Sequence, residues 1–309
     1  MCAGTTVICG GRGMSLVTEI PANSNVREFM ALVGLNPDPS EVDPHIWLQE
    51  KHGIKARREL GELVDEGEIV AAYSFLWKTP EVLDKFNYVT SGATILALEK
   101  YESYCADAKT IIDVGCGTGL VANFLAWRFP DAQVVGVDIS GSGLSAALAM
   151  SQRLGLRNVT YVPSWLQEFS VPYRFDVVIS SLVASDLLDF HSLYHDYEYG
   201  TEDEEKYDIN LAGMKCWYSE VLGQLLADYG KLLTLERLGA LFQMTVWAGA
   251  LAEEGLRVDL NESEFMYPVP WKGADRERMP LFVASRTGEP VTLEALKNWY
   301  EASPMPDLI

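Results

Sequence analysis

The 309-residue chain is short of positive charge: 24 lysines and arginines face 44 aspartates and glutamates, a formal charge of -20. A protein that grips a run of nucleic-acid phosphates needs a basic face, and few residues are left to build one. A nucleic-acid partner is therefore not expected. Cysteine is scarce too. Cys2, Cys9, Cys105, Cys116 and Cys216 are odd in number and lack metal-type pairing, which fits reduced thiols in a cytoplasmic protein. No apolar run approaches the roughly 18 residues that span a bilayer, so no membrane partner is expected. The start, MCAGTTVICGGRG, has neither the basic residues nor the continuous apolar stretch of a secretory signal. Internal repeats and low-complexity runs are missing; the nearest is the acidic, tyrosine-rich "HDYEYGTEDEEKYD" at 195–208.

What the chain does have is apolar residues, 48% of the total, enough for a packed core. From about 108 to 286 strand-like and helix-like segments alternate, the pattern of a parallel sheet covered by helices. Strands are expected at 110–114, 133–138, 158–162, 175–180, 230–235, 256–260 and 280–285, with helices at 119–129, 143–154, 212–228 and 239–254. This is an α/β fold: a doubly wound, seven-stranded, mostly parallel sheet with an antiparallel last strand, plus an N-terminal, mainly helical extension. Within the extension, residues 5–20 resemble a hairpin turned at Gly10-Gly11-Arg12-Gly13. Asn25 with Glu28 suggests a capping box for a helix over 26–33, and further helices are expected at 54–64, 67–77 and 80–105. The expected division is 1–105 extension, 106–286 core and 287–309 helical tail.

The most informative stretch is "IIDVGCGTGLVANFLAWRFPDAQVVGVDIS", residues 111–140. It reads strand, tight turn, helix, strand, so the turn lies at the carboxyl end of a parallel strand, where open α/β sheets bind ligands. Glycines there let the backbone bend and let a ligand touch main-chain atoms. The following helix offers free N–H groups. Asp138, ending the second strand, can accept both hydroxyls of a ribose. A dinucleotide fingerprint G-x-G-x-x-G would need glycine at position 120, which is Leu120. A carboxylate at Asp113 also suits a cationic ligand, whereas it would repel a pyrophosphate.

The spacing Asp113, Gly115, Gly117, Gly119 resembles the first motif of the class I S-adenosylmethionine-dependent methyltransferases, and the resemblance extends over roughly 108–286. It implies S-adenosylmethionine as cofactor, seated at the carboxyl ends of the first strands. Asp113 would then serve the methionine ammonium and Asp138 the ribose. Gly115, Cys116, Gly117, Gly119 and Ile139 would form the cradle. Ser164 and Trp165 stand where the adenine is gripped, although an aspartate is commoner there, and a core tryptophan is an equal reading of Trp165. The carboxyl end of the fourth strand, Ser180 to Val183, would lie beside the transferred methyl. Tyr88, with Thr90, would reach the cofactor carboxylate from the helical extension, which would cover the site. Asp176 reads as a structural strand-start residue.

The acceptor is less legible. After the fourth strand there is no D/N-P-P-Y/F, no Pro-Cys nucleophile and no paired glutamates; Ser181-Leu182-Val183-Ala184-Ser185-Asp186 stands there instead. What remains is a small-molecule acceptor or a protein site of another type, and O- or N-methylation of a small molecule is the preferred reading. His191 and His195 are the candidate bases, since histidine titrates in the useful range; ordinary loop or helix-face histidines are the alternative. Asp186, Asp189 and Glu236 are further acids near the acceptor side, and Tyr194, Tyr197, Tyr199 and Tyr207 could line or cap an acceptor pocket. Three rivals stay open: a protein side-chain methyltransferase, a cofactor-binding protein without turnover, and a nicotinamide-dependent oxidoreductase. The oligomeric state is left open.

Overall fold

The computed structural model describes residues 24–34, a few residues between 49 and 62, 80–184, 217–268 and 278–303, with side chains of the long helix from residue 93 onward. The expected hairpin at 5–20 and the acidic segment 195–208 lie outside them.

Helix α1 is Ser24–Val33 and helix α2 is Pro80–Cys105. Five parallel strands follow with their helices: β1 Thr110–Val114, α3 Leu120–Arg128, β2 Gln133–Asp138, α4 Gly141–Arg153, β3 Val159–Pro163 and β4 Phe175–Ser181. The described turns of α5 cover 217–225, and β5 is Leu226–Leu235. The chain closes with α6 Leu241–Glu253, β6 Arg257–Val258, β7 Glu264–Met266, β8 Met279–Ser285 and α7 Leu293–Glu301.

The sheet runs β3-β2-β1-β4-β5-β8-β6, with β7 also pairing β8. β1 to β5 are mutually parallel, while β8 is antiparallel to β5, β6 and β7. Val114 is in register with both Val137 and Ser180, so the carboxyl ends of β1, β2 and β4 finish level.

Alternate strand residues face opposite helical layers, as the pleat requires. Ile111, Val177, Ile179, Leu233 and Leu235 join the core shared with α1, α2 and α3. Ile112, Val114, Val178 and Leu232 join the core shared with α5, α6 and α7. In the first layer Phe29 of α1 is fully buried and meets Phe124 edge-on at 5.3 Å and Trp127 at 5.8 Å. Glu102 of α2 accepts from Asn25 Nδ2 at 2.7 Å and pairs with Arg128 of α3. One buried carboxylate thus ties three helices together.

The α/β architecture with its antiparallel edge is as expected, and the differences have local causes. Among the described residues the sheet has eight strands instead of seven. The expected strand 256–260 stops at Val258 because Asp259 begins a turn: its carboxylate accepts from Asn261 N at 2.9 Å and its carbonyl from Ser263 N at 3.0 Å. The chain then re-enters the edge as β7. The expected helix 212–228 gives way at Leu226, which already pairs with Phe175; the register then jumps to Val177 opposite Lys231, leaving an arch with Tyr229 95% exposed. Asn25 lies inside α1, and its amide is spent on Glu102 rather than on a cap.

Candidate active site

The turn after β1 is held from below. Gly115 N and Cys116 N donate to the Val137 carbonyl at 2.8 and 3.0 Å, and Gly119 N donates to the Cys116 carbonyl at 2.8 Å. Gly115, Gly117 and Gly119 all have positive φ, at 69°, 51° and 73°, a region that only glycine occupies without cost. Crowding adds to the requirement. A Cβ on Gly115 would lie 2.3 Å from Val183 Cγ2, and one on Gly119 would lie 2.6 Å from Ala147 Cβ and 2.9 Å from the Tyr161 hydroxyl. Two of the three glycines are therefore demanded by the protein's own packing.

Two carboxylates underlie the turn. Asp113, 2% exposed, accepts from Ala122 N at 3.1 Å, anchoring the first turn of α3. Burial, reinforced by the charge of Asp138, raises its pKa to about 7. Asp138 takes Gly117 N on Oδ2 at 2.8 Å and Ser140 N on Oδ1 at 2.7 Å. Burial raises its pKa also, against those N–H donors, which favour the charged form. Each oxygen keeps a lone pair for a ligand hydroxyl. Neither acid has an ion-pair partner among the described residues. Paired acids without a cation suit a ligand carrying an ammonium and a sulfonium, so this donor set fits S-adenosylmethionine.

The remaining expected contacts fall around this centre. Ile139 is half-buried beside Asp138, and Cys116 is 8% exposed with its thiol pushed up by burial. Ser164 N donates to the Asp138 carbonyl at 3.1 Å, but Ser164 Oγ is turned onto the Trp165 carbonyl at 2.9 Å. Trp165 is 54% exposed, so the core-tryptophan reading does not hold. Asp176 takes Lys109 N, Thr110 N and Thr110 Oγ1, tying the start of β4 to the start of β1. Tyr88 and Thr90 are on α2, but their side chains lie outside the described residues, as do His191, His195 and Tyr194, Tyr197, Tyr199 and Tyr207 in their entirety.

Ser180 is fully buried, not open to a ligand. Its hydroxyl is 2.6 Å from the Tyr218 hydroxyl and donates to Glu236 Oε1 at 3.0 Å. The half-buried hydroxyl at this end of β4 is that of Ser181, which lies 2.8 Å from the hydroxyl of Tyr101. Next comes Leu182, with φ of 62° and its N–H on the Leu235 carbonyl at 2.7 Å. Val183 follows and rests on Gly115. Sequence reasoning placed Ser180 to Val183 together at this end of the strand, but it missed Tyr101 and Tyr218. The only signal for the tyrosines was their place on apolar helical faces, where a hydroxyl needs a partner.

Residues 111–195 match the family model described as "Methyltransferase domain". Among curated proteins, the chain is 33% identical over 110 residues to a ribosomal protein L11 methyltransferase of Vibrio vulnificus, covering 35% of this chain and 36% of that one. It is 43% identical over 77 residues to ribosomal RNA small subunit methyltransferase G of Psychromonas ingrahamii, covering 25% and 37%. The chain thus spans about a third of the length of these relatives. Among solved structures, the N-methyltransferase NodS of Bradyrhizobium japonicum in complex with S-adenosyl-L-homocysteine aligns at a TM-score of 0.47 and 13% identity, covering 69% of this chain and 97% of that one.

These findings correct the expected partners. Both sequence relatives are named for macromolecules, a ribosomal protein and a ribosomal RNA, so neither a small-molecule acceptor nor the setting aside of nucleic acid stands. Net charge averages the whole surface, while an acceptor meets one patch of it, so the charge balance does not exclude a nucleic acid. No described helix is long and apolar enough to cross a membrane. The glycine turn and its two acids, which have no ion-pair partner among the described residues, fall inside the stretch that resembles a methyltransferase domain.

Proposed function

We propose that the protein methylates a macromolecular acceptor in the cytoplasm, and that the acceptor is a basic protein region. The observation that carries the methyl-donor half is the pair Asp113 and Asp138 beneath the glycine turn, two carboxylates with no cation partner among the described residues. A relative named for ribosomal protein L11 supports a protein acceptor. The excess of 44 acidic over 24 basic residues would speed the approach of a positively charged one at long range. We take 106–286 as the catalytic unit, with 1–105 and 287–309 as additions that shape the acceptor side.

When bound, S-adenosylmethionine supplies a methyl on a positively charged sulfur, which needs placement more than activation. Gly115, Cys116, Gly117, Gly119 and Ile139 provide the backbone bed. Asp113 favours the cationic end, Asp138 the ribose, and Trp165, with Ser164, the adenine. His191 and His195 are the proposed acceptor-side bases. Replacing both with alanine is expected to lower turnover and leave cofactor affinity unchanged; full turnover in the double variant would remove them.

The test uses tritiated S-adenosylmethionine, the purified chain and bacterial ribosomal subunits, with protein and RNA fractions separated afterwards. Label in protein is the expected result. Label confined to RNA would overturn the protein acceptor while keeping the chemistry. Failure to bind S-adenosylhomocysteine in a calorimeter would overturn the cofactor assignment itself.

A further inference from the structure

We propose that Tyr101, on a helix outside every recognisable motif, is a positioning residue for methyl transfer: its hydroxyl fixes Ser181, whose oxygen holds the N–H or O–H of the attacking acceptor. This rests on the methyl-transfer reading above and adds how the acceptor is aimed.

The ends of β4 and β5 carry the hydroxyls of Ser180, Ser181 and Thr234. Thr234 is consumed by Trp247 Nε1 at 3.0 Å, and Ser180 by Tyr218 and Glu236. Both are sealed in the core, at 1% and 0% exposure. Ser181, on the opposite face of the strand, is half-buried, and the hydroxyl of Tyr101 lies 2.8 Å away. It stands one residue beyond the level of Val114, and two residues before Val183, which rests on Gly115. Ser181 is therefore a partly accessible hydroxyl beside the turn that would bed the methyl donor.

The ring of Tyr101 is fully buried and its hydroxyl lies 2.8 Å from Ser181 Oγ, a pair in which either can donate. Burial raises its pKa, so the phenol keeps a proton, which in the proposed arrangement is given to Ser181. A serine hydroxyl has one proton and two lone pairs. With one lone pair taken by Tyr101, Ser181 has one lone pair for the acceptor's hydrogen and one proton for a neighbouring acceptor oxygen. A serine without that anchor would sample three rotamers. In the transfer, the acceptor's lone pair forms the new bond to the methyl carbon as the carbon–sulfur bond breaks and sulfur retains that pair. The acceptor's proton leaves to the acceptor-side base proposed above. Ser181 and Tyr101 stay neutral and exchange no net proton.

The experiment measures steady-state methyl transfer to the protein fraction of bacterial ribosomal subunits, with S-adenosylhomocysteine affinity and thermal melting in parallel. Tyr101→Phe keeps the buried ring. It is expected to lower kcat about tenfold by loosening orientation, with acceptor KM, S-adenosylhomocysteine affinity and melting temperature unchanged. Ser181→Ala should fall as far, and the double variant no further than Ser181→Ala alone, because Tyr101 acts through Ser181. Ser181→Thr, which keeps the hydroxyl, should retain activity. Tyr104→Phe, the same atom removed three residues along the helix, should match wild type. Tyr101→Phe turning over within twofold of wild type would overturn the inference, as would additive losses in the double variant. A wild-type chain that binds S-adenosylhomocysteine yet labels no protein would remove the acceptor reading and this inference with it.

Discussion

Asp113 is an acid buried next to another acid, and its behaviour with pH follows from that. Its pKa rises from an ordinary 3.8 to about 7 because burial penalises the charge. A carboxyl whose pKa is raised by folding binds its proton more tightly in the folded chain. Its contribution to stability is complete below about pH 4 and is lost as pH climbs through about 7. A cationic ligand favours the ionised form, so affinity runs the other way. S-adenosylhomocysteine, whose ammonium is charged throughout this range, should bind roughly tenfold more tightly at pH 8 than at pH 6. Calorimetry at the two values checks this, and Asp113→Asn should flatten the difference. Gly115 makes a second prediction at this scale. Gly115→Ala places a methyl 2.3 Å from Val183 Cγ2 at a φ of 69°, which should cost about 2–3 kcal/mol in a urea melt. Adding Val183→Ala should return the packing part of that loss and leave the backbone part.

Among the elements, α1 shows how the extension is tied to the domain. Phe29 is fully buried against Phe124 and Trp127, and Arg153 of α4 donates to the Val33 carbonyl at 3.0 Å. Phe29→Ala should lower unfolding free energy by about 3–5 kcal/mol if α1 unfolds with the domain. A two-step urea transition would show instead that α1 leaves first. The elements also mark what could be read in advance. β1 and β2 are bounded as expected because each is a short apolar run closed by turn chemistry. α2 matches its expected range as well. β5 was misjudged because a strand with an arch in it has no simple period, and β7 because three residues are too few for one. In the site, the acids and glycines were legible because consecutive residues bring them together. Tyr101 and Ser181 are 80 positions apart, as are helix α2 and β4 in this contact, and only tertiary packing joins them.

For the molecule as a whole, charge is the dominant feature. With a net charge of -20, encounter with a basic acceptor should be steered electrostatically, and salt should weaken it. kcat/KM for the protein acceptor is expected to fall about tenfold between low and physiological ionic strength, while S-adenosylhomocysteine affinity changes little. A flat profile would argue against the basic acceptor. The order of the sheet has a consequence of its own, for the newborn chain. α2 packs on α3, which follows it closely, and on β4, β5 and β7, which come much later. Between the synthesis of Cys105 and Leu235, roughly ten seconds pass at ordinary ribosomal speed. Through that interval Ala97, Leu98 and Tyr101 lack part of the apolar cover they have in the finished fold. The helix that aims the acceptor is thus also a sticky surface during translation, and the chain's need for chaperones should centre on it.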